Sequence, residues 1–270
     1  MMDNGLGTTK RRCIAQEATD RDSSKVLDGH LYNVSDLDIE EHYTDTHGYT
    51  EINFAAFAWL GISFSPRIKN IKKQWLYKIN EGMDYGSLNP LVTGNKHTIK
   101  MSYILDNWDR MAQFYASLEA GHVTASTALK RIVGFTSKNH FYQANLQLGR
   151  ILKTEHILYW MADPCKRRRT RKGLLKVEQI HQLARDITYG NRGRLKGKTI
   201  EEITSSGNCT TLIMAAIIYW QAKEISRIVT KYNPEEVDID ISLLAHISPI
   251  EWSNVVLYGE YKLNRDLVKR

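Results

Sequence analysis

The chain has 270 residues, of which 42% are hydrophobic, so it can form a real core and is not a disordered polypeptide. Its formal net charge of +7 and pI of about 9.2 suit a polyanionic partner without distinguishing DNA, RNA or a membrane. The three cysteines, Cys13, Cys165 and Cys209, are far apart and form no Cys-x-x-Cys pair, which excludes an encoded disulfide framework or cysteine zinc site. The longest nearly apolar run, residues 212–220, is far shorter than the roughly 20 residues that span a bilayer, and no signal peptide is evident at residues 1–12. We therefore expect a soluble cytoplasmic protein that does not contact a membrane.

The first part of the chain predicts a strand, a turn and a buried helix. Residues 1–25 are polar and predict a poorly defined lead-in. Residues 26–45 alternate short apolar stretches with acids and predict a strand that ends at the turn of residues 42–48. Residues 49–60 place apolar side chains around most of a helix, with Gly61 as its stop. Pro66 and the basic residues that surround it predict a loop before a short strand near residues 75–79. These basic residues are Arg67, Lys69, Lys72 and Lys73.

The second part of the chain is predominantly helical in its periodicity. Residues 103–161 predict an all-helical block, with helix starts near Ala125 and Phe141 and an end at Asp163-Pro164, since proline cannot continue a helix. A basic loop at residues 166–172 is predicted before an amphipathic helix over residues 174–189. A second basic loop precedes a buried helix over residues 211–232, in which Tyr219 and Trp220 are expected in the core.

Several ordered sequence stretches resemble one protein family. They read Val-Leu-Asp-Gly at residues 26–29, His-Tyr-Thr-Asp-Thr-His-Gly-Tyr-Thr-Glu at 42–51, Gly-Ile-Ser-Phe-Ser-Pro-Arg-Ile at 61–68, Gly-Leu-Leu-Lys-Val-Glu at 173–178, Leu-Ala-His-Ile-Ser-Pro at 244–249 and Gly-Glu-Tyr at 259–261. Residues 160–169 match as well. In order and spacing they resemble the replicative DNA transposases of the Tn-three type, over residues 26–261.

The resemblance implies a ribonuclease-H-like sheet with two aspartates and a glutamate that hold two magnesium ions, and a helical insertion between the second aspartate and the glutamate. Asp45 corresponds to the second aspartate. Glu178 corresponds to the glutamate, although the family motif Gly-Leu-Asn-Lys-Gly-Glu here reads Gly-Leu-Leu-Lys-Val-Glu. The first aspartate lies farther upstream in the family than the 44 residues that precede Asp45, so we expect it outside this chain. Asp20, Asp22 and Asp28 do not match its motif.

The residues themselves leave simpler interpretations open. Asp45 could be a turn or helix N-cap acid, and Glu178 could be an exposed helical acid paired with Lys176 or Arg185. A zinc site at His42, Asp45 and His47 is disfavoured because the two histidines would point to opposite faces of a strand. We expect His42 to pack beside the site or to contact the scissile phosphate region.

Residues 166–176 contain seven lysines or arginines and no acid. The simpler interpretation is a solvated charge run, but seven like charges repel one another and are better explained by a bound polyanion. We therefore predict DNA-phosphate contacts, which Arg192, Arg194, Lys196 and Lys198 of the second basic loop extend. Weaker candidates for such contacts are Arg67, Lys69, Lys72 and Lys73. The predicted DNA-binding residues are Lys166, Arg167, Arg168, Arg169, Arg171, Lys172, Lys176, Arg192 and Arg194.

The predicted fold class is α/β, with an incomplete ribonuclease-H-like sheet, a large all-helical insertion and a helical C-terminal part. Residues 26–99 would form the partial sheet region that carries Asp45, residues 100–164 the insertion, and residues 165–270 the basic loop, the Glu178 helix and the C-terminal part. The implied activity is magnesium-dependent 3′-end hydrolysis and strand transfer in DNA transposition, on transposon ends and target DNA. We expect the chain alone to be inactive without the first aspartate. One alternative is a non-catalytic remnant that binds DNA or subunits, self-associates or inhibits a full-length transposase. Another is a decayed coding sequence with no selected role.

Overall fold

The computed structural model describes residues 25–32, 39–46, 48–92, 97–191, 193–195, 197–231, 244 and 247–259. Within these ranges the chain is mostly helical, with one small parallel sheet. The described residues up to 175 form one compact unit, and those from 176 onward form another. Among the described helices, none combines the length and the apolar character that a membrane span requires.

A parallel β-α-β unit lies in the first of these two units. Strand β1 (Glu41–His42) pairs with strand β2 (Ser63–Phe64), and helix α2 (Glu51–Trp59) connects them. Three backbone hydrogen bonds of 2.8–2.9 Å extend the pairing beyond the strands, from the amides of Ser63, Ser65 and Arg67 to the carbonyls of residues 40, 42 and 44. Parallel strands need such a crossover connection, and α2 supplies it.

Helix α2 has the predicted position and burial. Thr50 caps it by accepting a 3.2 Å hydrogen bond from the Asn53 amide, as N-cap threonines do. All side chains from Ile52 to Phe57 are buried. The helix ends before Gly61, whose φ of +71° is a left-handed conformation that suits glycine. The prediction of a buried helix stopped by Gly61 is confirmed.

Four helices follow, as the periodicity predicted. They are α3 (Met101–Asp106), α4 (Trp108–Glu119), α5 (Ala125–Val133) and α6 (His140–Ala162). Thr124 caps α5 and Asn139 caps α6, each through a hydrogen bond from a backbone amide to its side-chain oxygen. Helix α6 ends at Ala162, so the predicted end at Asp163-Pro164 is confirmed.

One hydrophobic core contains residues from both sides of the expected boundary at residues 99 and 100. Helix α6 packs directly on α2, and a Cβ atom added at Gly149 would lie 1.7 Å from the Glu51 carbonyl oxygen. Because α2 is apolar on nearly all sides, it needs cover from the later helices as well as from the sheet. The helical block therefore completes the core around the β-α-β unit.

The predicted strand over residues 26–45 is wrong in its first part. Residues Val26–Leu31 form helix α1, in which Leu27 is completely buried. The Asp28 carboxylate accepts a 3.1 Å hydrogen bond from the Ser126 amide at the start of α5, so packing on a later helix outweighs the alternating pattern. The strand near residues 75–79 is reduced to one parallel bridge between Lys78 and Thr98.

The basic segment is helical, so the predicted basic loop is wrong. Helix α7 (Pro164–Ile187) begins ten residues before the predicted start of the amphipathic helix. Asp163 accepts a 2.7 Å hydrogen bond from the Cys165 amide, and Pro164 occupies the first helical position, where proline is favoured. Lysine and arginine are good helix formers, and the fully buried Thr170 anchors this part of the helix.

Helix α8 (Ile200–Lys231) is not the buried helix that was predicted. Its buried residues are Gly207, Thr210 and Gln221, whereas Tyr219 and Trp220 are 62% and 45% exposed. The run of residues 212–220 is apolar on all sides of the helix, so packing on one side leaves the others in solvent. The C-terminal residues 247–259 contain no helix in the described part of the chain, and Tyr232 lies outside it.

Candidate active site and basic helix

Asp45 lies three residues after His42, the last residue of β1, and directly follows Thr44, whose carbonyl accepts the last of the three backbone hydrogen bonds between the two strand segments. Its side chain is exposed. Its Oδ1 accepts a 3.2 Å hydrogen bond from the Gly48 amide, and its carbonyl accepts one of 3.3 Å from the same amide. Gly48 is required there, since a Cβ atom would lie 2.7 Å from the Thr44 Cβ. Asp45 is therefore a turn acid, but Thr50 rather than Asp45 is the N-cap of α2. The turn orients the carboxylate at the edge of the sheet.

A partly buried polar group, close to Asp45 in sequence, was not predicted from the sequence. The Tyr43 hydroxyl donates a 2.6 Å hydrogen bond to Glu41 Oε2, and the Ser65 hydroxyl donates one of 2.5 Å to Glu41 Oε1. Burial, the hydrogen bond to Glu41 and the charge of Glu41 raise the pKa of Tyr43 to about 12, partly offset by the positive charge of Arg169. The Tyr43 hydroxyl thus remains a donor to Glu41 at neutral pH, and the Ser65–Glu41 hydrogen bond links the β1 and β2 segments.

Tyr43 also marks where α7 approaches the sheet. A Cβ atom added at Gly173 would lie 2.8 Å from a ring carbon of Tyr43. Glu41 and Tyr43 are two residues apart and so lie on the same face of the strand, which is the signal that could have drawn attention to them. Ser65 is 24 residues from Glu41 in sequence, and its hydroxyl reaches the Glu41 carboxylate only because β1 pairs with β2.

His42 points to the opposite, apolar face of β1. Its ring stacks on Phe57 at 5.0 Å and lies 6.3 Å from Phe64. His42 therefore packs on the aromatic side chains of α2 and β2, and its relation to a catalytic site stays a prediction. His47, the other histidine of the zinc alternative, lies outside the described residues.

A buried histidine lies where the sheet meets α6. His156 shares a 3.0 Å hydrogen bond with the Pro66 carbonyl through Nε2, and no partner of its buried Nδ1 is found among the described residues. Burial lowers the pKa of His156 to about 4, with the hydrogen bond to Pro66 opposing the shift. The ring is therefore neutral at physiological pH and packs near Phe54 and Trp160.

Lys166 and Arg167, two of the seven basic residues of the helix α7 segment, contact the end of α6. Arg167 Nη1 donates hydrogen bonds of 2.6 and 3.0 Å to the carbonyls of Trp160 and Met161, which are at the end of α6. The Lys166 ammonium lies 5.4 Å from the centroid of the Tyr159 ring. The other five are exposed: Arg168, Arg169, Arg171, Lys172 and Lys176. The basic helix therefore presents five cations to solvent and uses Arg167 to satisfy orphan carbonyls.

The second basic loop is described only in part. Arg194 and Lys198 are exposed, and Arg192 and Lys196 lie outside the described residues. The Lys198 amide donates a 2.6 Å hydrogen bond to Glu202 at the start of α8. The loop therefore leads directly into a capped helix, and its predicted role in DNA binding stays a prediction.

Glu178 is exposed on α7. Within the described part of the chain, it forms no ion pair or side-chain hydrogen bond, whereas Arg185 donates to Gln182 instead. The simpler interpretation, in which Lys176 or Arg185 pairs with Glu178, therefore finds no support. Asp45 belongs to the unit of the earlier residues and Glu178 to that of the later ones, so their convergence stays a prediction. No group of three or more histidines, cysteines or acids suited to a metal ion occurs among the described residues.

The segment after α8 contacts α7 and α8. Trp252 Nε1 donates a 2.9 Å hydrogen bond to Asp186 on α7, and Gln221 on α8 donates to the Glu251 carbonyl and to Asn254. The rings of Tyr189 and Tyr258 meet edge to face at 4.4 Å. These contacts hold the described C-terminal residues against the helix that carries Glu178.

Comparison with known proteins identifies the family of this chain. The family model for the Tn3 transposase DDE domain matches residues 11–261. The chain belongs to this family. It is 35% identical over 241 residues to the transposase for transposon Tn2501 of Escherichia coli, covering 89% of this chain and 24% of that protein. It is 34% identical over 248 residues to the transposase for Tn1546 of Enterococcus faecium, covering 92% and 25%. The transposase for Tn501 of Pseudomonas aeruginosa is 35% identical over 241 residues. The chain spans about a quarter of the length of these relatives.

Proposed function

We propose that this chain contributes Asp45 and Glu178 to a ribonuclease-H-like DDE site that acts in DNA transposition. The observation that carries the proposal is the position of Asp45, an exposed carboxylate just beyond the carboxyl end of β1 in a parallel β-α-β unit. Sites in open α/β sheets lie outside the carboxyl ends of the strands. The small parallel sheet would be part of the larger ribonuclease-H-like sheet.

Both carboxylates suit magnesium, which prefers oxygen ligands. The turn at Gly48 orients Asp45, and Glu178 has no competing partner among the described residues. Two magnesium ions bound by such carboxylates would activate the attacking oxygen and stabilise the leaving oxygen of a phosphodiester. The chain itself would orient the carboxylates, with the Glu41–Tyr43–Ser65 group supporting the strand that precedes Asp45.

The basic helix would bind the DNA backbone. Arg168, Arg169 and Arg171 are exposed on α7, and each cation that neutralises a phosphate releases condensed counterions. The substrates would be transposon ends and target DNA, and the reaction would be 3′-end hydrolysis followed by attack of the freed 3′-hydroxyl. Residues 1–270 alone would not cleave, because two carboxylates without the third do not hold the reacting groups with the required accuracy, on the order of 1 Å.

A chimera tests the assignment. In the transposase for Tn2501, the matching quarter is replaced by this chain, so that the upstream part supplies the first aspartate. The chimera should nick DNA that carries the transposon ends in the presence of magnesium, and Asp45→Asn or Glu178→Gln should abolish nicking. Asp109→Asn and Glu119→Gln, at exposed helical acids, are the matched controls. Nicking that survives Glu178→Gln would show that Glu178 is not the catalytic glutamate. Cleavage by residues 1–270 alone would contradict the proposal that their site is incomplete.

Helix α8 favours a second candidate function, which is binding to a full-length transposase without catalysis. Leu212, Tyr219 and Trp220 are exposed large apolar side chains on this helix, and exposed apolar patches commonly mark interaction sites. In the same assay, added chain would then inhibit the intact transposase, and Leu212→Glu would relieve the inhibition. An unaffected transposase would rule this candidate out.

A further inference from the structure

A second basic segment, separate from α7, combines positive charge with exposed aromatic rings. Residues 67–78 contain five lysines or arginines and no acid. Arg67, Lys69 and Lys73 are exposed and Lys78 is half-buried. Lys78 forms a β-bridge with Thr98, and Lys100, two residues after Thr98, is also exposed. Such a concentration of one sign of charge suits a polyanion.

Trp75 lies within this segment and is 53% exposed. Its ring stacks on His97 with centroids 4.3 Å apart and planes inclined by 14°. Tyr77 meets His97 edge to face at 5.7 Å, and the Arg150 guanidinium lies 5.0 Å from the centroid of the Tyr77 ring. The segment therefore has a stacked pair of rings, Trp75 and His97, with Tyr77 at the edge of His97 and the Arg150 cation over Tyr77.

The backbone around these rings is firmly held. The Lys78 amide donates a 2.8 Å hydrogen bond to the His97 carbonyl, and the Tyr77 amide donates one of 3.1 Å to Thr154 on α6. Leu76, between the two aromatic residues, is 2% exposed and packs in the core. Because Leu76 anchors the segment, the large exposed ring of Trp75 is not needed for packing. A platform held in this way loses little conformational entropy on binding.

We propose that Trp75 and His97 form a stacking platform for an unpaired nucleobase of single-stranded DNA, with Lys69 and Lys73 neutralising the adjoining backbone. The proposal rests on the proposed function in DNA transposition. Aromatic side chains in a positively charged groove are the usual means of binding single strands, since every base has a face that can stack. A paired base is inaccessible within the duplex stack, so the platform is specific for unpaired DNA. The excess of positive charge favours DNA over an apolar protein partner.

The test uses the 270-residue chain with a fluorescent oligothymidine and a duplex of equal length. Trp75→Ala should weaken binding of the single strand about tenfold and binding of the duplex less than about twofold, because one stacked base is lost and no charge is removed. Trp75→Phe, which retains a ring, should recover most of the affinity. Trp108→Ala, at an exposed tryptophan on α4, is the matched control and should change neither. The double substitution Lys69→Gln/Lys73→Gln should weaken both ligands.

A photocrosslink provides a measurement that does not depend on a variant. Wild-type chain irradiated with an oligonucleotide containing 5-iodouracil should crosslink at Trp75 or His97, as located by mass spectrometry. A Trp75→Ala chain that binds the single strand normally, an equal loss for single strand and duplex, or a crosslink confined to other peptides would overturn the platform. If the duplex still binds through α7, the proposed function in DNA transposition stands without the stacking platform. A wild-type chain that binds neither DNA would count against both proposals.

Discussion

Lys153 on α6 forms a 2.9 Å ion pair with Glu51 in the first turn of α2. The side chain of Lys153 is 9% exposed and that of Glu51 29%. Burial by itself would raise the pKa of Glu51, but the charge and hydrogen bond of Lys153 more than offset it, and the pKa lies below the usual value of 4.5. The helix that follows the Asp45 turn is thereby joined to the helical block by a charge pair as well as by apolar packing.

Lys153→Met should reduce the free energy of unfolding by about 2–3 kcal/mol at pH 7, because it leaves the Glu51 carboxylate without its partner in a mostly buried position. The pKa of Glu51 is depressed in the folded state, so the stabilisation by the pair is present above pH 4.5 and is lost as the pH falls through the lower folded value. The cost of Lys153→Met should therefore shrink in acid. Urea denaturation at several pH values measures both effects.

Arg227→Met is the control for the buried pair. Arg227 pairs with Glu224 on the exposed surface of α8 at 2.8 Å, and its loss should cost no more than about 0.5 kcal/mol. An equal cost for the two substitutions would show that burial does not strengthen the Lys153–Glu51 pair.

Gly149→Ala should be strongly destabilising, by about 3 kcal/mol or more, because the added methyl group would overlap the Glu51 backbone and force α6 away from α2. Gly29→Ala in α1 is the matched helical control, since no atom beyond its chain neighbours and the backbone of its own helix lies within 4 Å of its Cβ position. The control should be neutral or stabilise by up to about 1 kcal/mol. Thermal unfolding, monitored by circular dichroism, distinguishes the effects of the two substitutions. A normal melting temperature for Gly149→Ala would mean that the two helices pack less closely.

Arg167→Gln and Arg168→Gln should separate the structural from the DNA-binding role of the basic helix. Arg167→Gln removes the donors to the last carbonyls of α6 and should cost about 1–2 kcal/mol of stability. Arg168→Gln should leave stability unchanged and reduce the slope of log affinity for duplex DNA against log salt by about one. Replacing Arg167, Arg168 and Arg169 together should flatten the slope further. An unchanged slope in the triple variant would make the segment a solvated charge run.

Tyr43→Phe should cost about 1–2 kcal/mol at pH 7, since it removes a donor to a carboxylate. The pKa of Tyr43 rises from 10.0 to about 12 on folding, so its contribution is fully present below pH 10 and is lost as the pH rises towards 12. The stability difference between wild type and Tyr43→Phe should accordingly narrow over this range. Tyr258→Phe, at a 69% exposed tyrosine, is the control. A difference that stays constant with pH would show that Tyr43 titrates as an ordinary tyrosine.

Local signals predicted the helices that carry their own start and stop residues. Thr50 and Gly61 bound α2, and Asn139 and Asp163 bound α6, because capping depends on residues within one turn of the helix end. A high density of lysine and arginine does not by itself indicate a loop, since both are good helix formers and Pro164 at the first helical position allows a helix to begin there.

The sequence by itself determined the family, through motifs that keep their order, and it named Asp45 and Glu178 as the candidate acids. Only the tertiary structure placed Asp45 at the end of a paired strand, because β1 and β2 are joined across an intervening helix. The same holds for the Glu41–Ser65 hydrogen bond and the Trp75–His97 stack, whose partners are more than twenty residues apart. Periodicity reports which side of an element is apolar but not whether anything covers it, and packing alone decided that Thr170 is buried while Tyr219 and Trp220 face solvent.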